Sequence, residues 1–303
     1  MEIEKSRELG LCLGVRRAIK LLKEAAGKYG KMETLGPVAH NQQLVQELAE
    51  IGIRPVDELE QVKGKILAIP THGVSPSVLS EIEARHVHII DTTCPMVSKA
   101  QNTAKELAEA GCYIIVFGEA EHTEVKGLLG WAKDKGIAAL DVKQIAISSS
   151  PLPAEALTLN EVTGRERQNN LHRLGIISQT TQSWPAFVEF SRQLMAALPA
   201  KVEQLHIINT LCQATQRRRE AAIELAKRIQ LMIVVGGHNS ANTKRLAEAC
   251  SPIVETHLVE RAREVDISWL VGKQRVGITA GASTPDKAIE EVITRLKTLQ
   301  SGA

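Results

Sequence analysis

Three cysteine-led stretches of the chain overlay on one another: "CLGVRRA" from Cys12, "CPMVSKA" from Cys94 and "CQATQRR" from Cys212. Each has a β-branched residue three positions on (Val15, Val97, Thr215) and a basic residue five positions on (Arg17, Lys99, Arg217). The register persists downstream, where His40, His122 and Ser240 each lie 28 residues beyond their cysteine. An Ala-rich helical stretch and a short turn-strand follow in every case, then a further strand ending in a polar loop: "IPTHGVS" with His72, "ISQTTQS" with Thr180 and "ITAGAST" with Ser283. Self-similarity at a fixed offset marks a repeated supersecondary unit. The chain therefore reads as three copies of one α/β domain, 1–93, 94–210 and 211–303.

Val- and Ile-rich runs such as "KILAIPTHG", "CYIIVFGEA", "LMIVVGGHN" and "RVGITAGAS" alternate with helical periodicity, which predicts mostly parallel sheets. The polar loops then fall at the carboxyl ends of strands, where open α/β sheets bind ligands. Arranged about a pseudo-threefold axis, the three domains would point these ends at a common centre.

Composition removes other classes. A net charge of +2 and 3% aromatic residues supply neither the field nor the stacking platforms of a nucleic-acid binder. No apolar run approaches the roughly 18 residues that cross a bilayer, and "MEIEKSRELG" lacks the pattern of a targeting peptide, so a cytoplasmic, soluble protein is expected. Five cysteines without a CxxC pair argue against disulfides and zinc ribbons.

"DTTC" and "NTLC" place a helix-capping residue type three before Cys94 and Cys212, each after an apolar strand, so these thiols stand at strand-to-helix junctions. Helix N-termini favour thiolates, and three thiolates facing one cavity call for a metal. Zinc with a water, or a [4Fe–4S] cluster with one iron lacking a protein ligand, both suit three sulfurs. Cys112 in "GCYIIVFG" and Cys250 in "AEACSPI" read as buried apolar residues.

His40, His72, His122, Ser240, Asn242 and Ser283 are hydrogen-bond donors at loops that precede helices. With converging helix N-termini they could hold a diphosphate without a lysine cage. The other histidines lack the pattern and read as structural. Glu124, two residues after His122, is the carboxylate placed to act as an acid beside that anion, and Thr180 or Thr181 could relay a proton or simply cap a helix.

"GLCLGVRRAI", "THGVS", "DTTCPMVSKAQ", "EHTEVKG", "SQTTQS", "NTLCQATQRR", "NSANTKRL" and "GAST" together resemble the LytB-type 4-hydroxy-3-methylbut-2-enyl diphosphate reductases over nearly the whole chain. The resemblance implies a cloverleaf of three α/β domains around a central iron–sulfur cluster. It also implies the last step of the methylerythritol phosphate route, a reductive dehydroxylation giving isopentenyl and dimethylallyl diphosphate. Cys12, Cys94 and Cys212 are then ligands of a [4Fe–4S] cluster. His40, His72, His122, Ser240, Asn242 and Ser283 hold the diphosphate, and Glu124 with Thr180 delivers the proton. The chain departs from the family at Ala241, where a second serine is usual, and at Asn209, where aspartate is usual. Thr180 lies 58 positions after His122, whereas Ser283 lies 43 after Ser240, and the excess falls in the polar "SSSPLPAEALTLNEVTGRERQNN", 148–170. Without a Gly-rich nucleotide fingerprint after the first strand, electrons are expected from a ferredoxin or flavodoxin. A quinolinate-synthase-like iron–sulfur dehydratase and a non-enzymatic zinc-held scaffold are the alternative readings.

Overall fold

In chain order the elements are β1 (Glu2–Lys5), α1 (Leu13–Tyr29), β2 (Met32–Leu35), α2 (Gln42–Glu50), β3 (Ile53–Val56), β4 (Ile66–Ile69), α3 (Pro76–Ala84) and β5 (His88–Asp91). There follow α4 (Pro95–Glu109), β6 (Tyr113–Phe117), α5 (Thr123–Trp131), β7 (Gly136–Ala139), α6 (Val142–Ile145), β8 (Arg173–Ser178), α7 (Trp184–Ala197) and β9 (Gln204–Ile207). The last are α8 (Gln213–Ala226), β10 (Leu231–Val235), α9 (Ala241–Cys250), β11 (Thr256–Val259), β12 (Arg275–Ala280) and α10 (Asp286–Ser301). This computed structural model describes residues 1–145, 173–198 and 202–301, so the stretch 148–170 lies outside the described residues.

The described residues form three four-stranded sheets, ordered β3-β2-β4-β5, β7-β6-β8-β9 and β11-β10-β12-β1, and every strand pair among them is parallel. The three orders are one topology. The inner strands β6 (YIIVF) and β10 (LMIVV) are buried at every residue, as continuous apolar runs must be when helices cover both faces of a parallel sheet. On α1 the buried residues Val15, Ala18, Leu22 and Ala25 recur every three or four positions, giving the helix one apolar stripe for its sheet.

The hydrogen bonds give β1 a partner outside the first repeat. β1 pairs with β12, Glu2 opposite Arg275 through Lys5 opposite Ile278, so it completes the third sheet although residues 1–93 were assigned to the first repeat. It stands to that sheet as β5 and β9 stand to theirs, and each of these edge strands runs into a cysteine. The chain divides into two compact units, one comprising Met1–Thr71, His86–Thr93 and Gln213–Ala303, the other His72–Arg85 and Cys94–Cys212. The first unit thus carries the first and third sheets. The second carries the middle sheet together with α3, which is fastened there because the carbonyl of Val74 accepts from Trp131 Nε1 (2.9 Å) and Gln101 Nε2 (3.4 Å).

Candidate functional site

In the second unit, two residues singled out from separate motifs are in contact. Glu124 lies in the first turn of α5 and Thr180 in the loop after β8. The Thr180 amide donates to Glu124 Oε1 (2.6 Å) and its hydroxyl donates to Oε2 (2.9 Å). Both residues are buried, at 3% and 4% exposure, so this two-point clasp is shielded from competing water. His122 is the N-cap of α5, and its Nδ1 accepts the Glu124 amide (3.1 Å). An accepting Nδ1 places the ring proton on Nε2, so a neutral His122 presents an N–H on its far side. His72 has the opposite arrangement, because its Nδ1 lies 3.0 Å from the Gly73 carbonyl, which can only accept. Nε2 of His72 therefore donates only when the ring is an imidazolium.

The cysteine turns of this unit are tied by their backbones. Cys94 is the N-cap of α4, with Pro95 at the first helical position, where a missing N–H costs no hydrogen bond. Cys212 immediately precedes α8, and its amide donates to the Thr180 carbonyl (2.9 Å), so the threonine that meets Glu124 also holds the cysteine turn. Asn209 Oδ1 accepts from Leu211 N (2.9 Å), as Asp91 Oδ1 in the first unit accepts from Thr93 N (2.8 Å). The neutral side chain at 209 thus makes the same turn as a carboxylate.

In the first unit, Cys12 is the N-cap of α1 and its Sγ faces the Val15 amide at 3.5 Å. Its own amide donates to the Ala282 carbonyl (2.9 Å), the counterpart of the Cys212–Thr180 bond. Ile278 and Ile176 lie opposite the last residues of β1 and β9, and counting on from them sets Thr180 level with Ala282. The partner of Ser283 is therefore Thr181, one residue from the match made on sequence. The 28-residue offset slips in the same way. Asn41, not His40, caps α2 by accepting from Leu44 N (2.9 Å), whereas His122 and Ser240 cap α5 and α9.

His40 nevertheless joins the Ser240 loop. A Cβ on Gly237 would stand 2.5 Å from the His40 carbonyl oxygen, so glycine is what lets the two loops touch. Burial lowers the pKa of His40, because desolvation disfavours the charged ring. Ser240 Oγ accepts from Thr243 N (3.3 Å), which leaves its hydroxyl proton to donate elsewhere. Ser240 and Ser283 are both buried, and the side-chain nitrogen of Asn242 is buried without a hydrogen-bond partner among the described residues. A buried donor in that state is costly unless an acceptor arrives.

Cys112 and Cys250 are buried inside the cores of their units. Burial pushes the Cys112 thiol up and the Cys250 thiol up to about 11, which suits inert residues. Among the described residues no three His, Cys, Asp or Glu side chains crowd a single point as the ligands of one metal ion do.

Three residues escaped the sequence reading. Thr92 and Thr210 each stand two before a cysteine, and their hydroxyls donate to the carbonyls of Ile69 and Ser178, both at 2.5 Å. Arg218 is buried and donates to the Gly10 carbonyl (2.6 Å). The signal for Arg218 was periodic: it shares the buried stripe of Ala221, Ala222 and Leu225 on α8.

These features define a class: an α/β protein of three like parallel sheets, with cysteines at the turns between edge strands and helices, and polar helix caps in each unit at the loops that follow the strands. The family model described as "LytB protein" matches residues 3–297, and the chain belongs to that family. Curated relatives include the 4-hydroxy-3-methylbut-2-enyl diphosphate reductase of Dehalococcoides mccartyi (strain CBDB1), 40% identical over 303 residues and covering all of both chains. That of Geobacter metallireducens is 37% identical and covers 99% of each chain. A solved structure of (E)-4-hydroxy-3-methyl-but-2-enyl diphosphate reductase, described as the terminal enzyme of the non-mevalonate pathway, superposes with a TM-score of 0.68 at 33% identity, covering 98% of this chain and 100% of that one. The Plasmodium falciparum E-1-hydroxy-2-methyl-but-2-enyl-4-diphosphate reductase shares the fold, with a TM-score of 0.82 at 24% identity over 98% of this chain and 88% of its own.

Proposed function

We propose that this chain reduces 4-hydroxy-3-methylbut-2-enyl diphosphate to isopentenyl and dimethylallyl diphosphate, consuming two electrons and two protons and releasing water. The observation that carries the reading is the buried clasp of Glu124 on Thr180, one residue pair joining an acid to a hydroxyl relay beside a cysteine turn. Full-length relatedness to chains bearing that name supports the substrate.

The three junction cysteines fit an iron–sulfur cluster by their chemistry. Cys12, Cys94 and Cys212 occur at one position of the repeat, two of them as helix caps, while Cys112 and Cys250 lie inside cores. Cys12, Cys94 and Cys212 would hold that cluster, which when bound would pass electrons from an external donor to the substrate and offer a Lewis-acidic iron for its hydroxyl.

The remaining work falls to the protein. His122 offers Nε2–H to the diphosphate, and His72 would do so as an imidazolium. Ser240, Ser283 and the Asn242 amide add neutral donors, as does His40. Ala241 contributes none. Binding at the diphosphate fixes the reacting end of the substrate and so lowers the entropic part of the barrier. When Glu124 is protonated, its Oε2–H faces the Thr180 hydroxyl, whose own proton can then pass to the departing oxygen. We assign residues 1–93, 94–210 and 211–303 as the three repeats, with β1 lent to the third sheet. No helix among the described residues is long and apolar enough to cross a membrane, and we place the enzyme in the cytoplasm.

Anaerobic reconstitution with iron and sulfide, followed by Mössbauer spectroscopy with and without the diphosphate substrate, tests the reading. One iron in four should change its isomer shift and product should form under a chemical reductant. A colourless zinc protein, or a cluster indifferent to the substrate, would refute it.

A further inference from the structure

Helix α1 presents a solvent face that its sheet does not use. Arg16, Arg17, Lys20 and Lys23 are exposed there, and with Lys28 they give the helix five bases against one acid, Glu24. In a chain whose formal net charge is +2, that is a concentrated patch. At the head of the same face Leu13, the residue after Cys12, is 81% exposed. Positions 13, 16, 17 and 20 recur at the three- and four-residue spacing of a single helix stripe that runs on to the acid Glu24, with Lys23 and Lys28 flanking it, so an apolar tip and a mostly basic track lie in line. The acids nearby leave the track basic: Asp286 stands 3.4 Å from Arg16 and Glu24 stands 3.8 Å from Lys20.

A small anion needs no exposed leucine, whereas a protein contact uses an apolar centre with a charged rim. We infer that this face of α1 is the docking surface of a small acidic one-electron carrier protein of the ferredoxin type, with Leu13 as its apolar contact at one end and the arginines and lysines running from it along the helix. The inference rests on the reductase reading. Each turnover draws two electrons from outside the chain, so two reduced carriers must arrive, each lose one electron and leave oxidised. Opposite charge speeds such encounters, and a small apolar contact lets the oxidised carrier depart.

The test follows the binding of an oxidised plant-type [2Fe–2S] ferredoxin to the reconstituted full-length protein by surface plasmon resonance, at low and at moderate salt. The double variant Lys20→Glu/Lys23→Glu should associate at least about tenfold more slowly at low salt, with the gap closing as salt rises. Leu13→Ser should speed dissociation. The same charge change on α10, Lys287→Glu/Lys297→Glu, serves as control. Wild-type association by the α1 double variant, or equal slowing by the α10 control, would overturn the docking surface. So would wild-type protein that ignores ferredoxin but binds anionic lipid vesicles through Lys20 and Lys23. Turnover with dithionite bypasses docking. No product from the wild type would overturn the reductase reading itself, whereas full dithionite turnover by the α1 double variant confines its defect to the encounter.

Discussion

Glu124 and Thr180 show how much a single contact can carry. Glu124→Gln keeps the shape of the clasp and removes the acid. Turnover with a chemical reductant should fall by at least about 10²-fold, the lower end of what a positioned proton donor contributes. The substrate-perturbed spectrum of the same sample should remain. Near-wild-type turnover would end the proton-donor role. The thiols give a second test, because Cys250, with its pKa raised to about 11, is buried and Cys112 is raised as well. In cluster-free protein at pH 8, iodoacetamide should label Cys12, Cys94 and Cys212 and reach Cys112 and Cys250 only after denaturation. A folded pKa above the unfolded value means Cys250 favours the native state below about pH 9, and this contribution is lost as pH rises toward 11. His40 has the reverse sign. Its lowered pKa gives stability that is present above about pH 6.5 and lost on acidification, so His40→Gln should flatten the acid side of the unfolding profile. The chemistry of these residues was legible because carboxylate, imidazole and thiol are recognisable at repeat positions. Which of them cap a helix was not, since capping is decided by a hydrogen bond and the first loop holds its cap at Asn41.

The turns between elements depend on groups that sequence patterns pass over. Thr210 Oγ1 both accepts the Ser178 amide (2.8 Å) and donates to the Ser178 carbonyl (2.5 Å). Thr210→Val would leave a buried N–H without its acceptor, a loss of about 1–3 kcal/mol. In Thr92→Val the Ile69 carbonyl keeps the bond from the residue-92 amide (3.1 Å), so the loss should be smaller. Urea unfolding of the two variants checks the order, and equal midpoints would contradict it. Gly237→Ala crowds the His40 carbonyl, and overpacking of this kind costs about 1–3 kcal/mol. Diphosphate affinity should fall with stability, read by calorimetry beside a melting curve. The inner strands announced themselves as unbroken apolar runs. β1 did not, because "EIEK" alternates charge with isoleucine and its place is set by a partner far along the chain, β12. Its acids are used there: the Arg228 guanidinium holds the Glu4 carboxyl below the usual carboxylate range.

For the molecule as a whole, the repeat predicts which thiols matter. Cys12→Ser, Cys94→Ser or Cys212→Ser should each abolish iron binding, while Cys112→Ala and Cys250→Ala retain it. Iron and sulfide analysis of the five variants decides, and loss of iron on replacing Cys250 would show that the third ligand was misassigned. Three sheets of one topology were readable from the offsets, but the sharing of residues between compact units was not. Helix α3 lies in the first repeat by sequence and in the second unit by contact, held there by Trp131 and Gln101.

The pairing of β1 with β12 also sets an order in time. Synthesis runs at about 5–20 residues per second, so β1 leaves the ribosome tens of seconds before the strand it needs exists. Cys12 waits with it, because its amide is held by the carbonyl of Ala282, beyond β12. The first junction thiol to be made is therefore the last to be given a fixed position, and a cluster that needs all three can be seated only after β12 and the loop at Ala282 have been made. Nascent chains stalled before Arg275 should leave Cys12 as reactive toward a maleimide as an unfolded thiol, and protection at that stage would contradict this order.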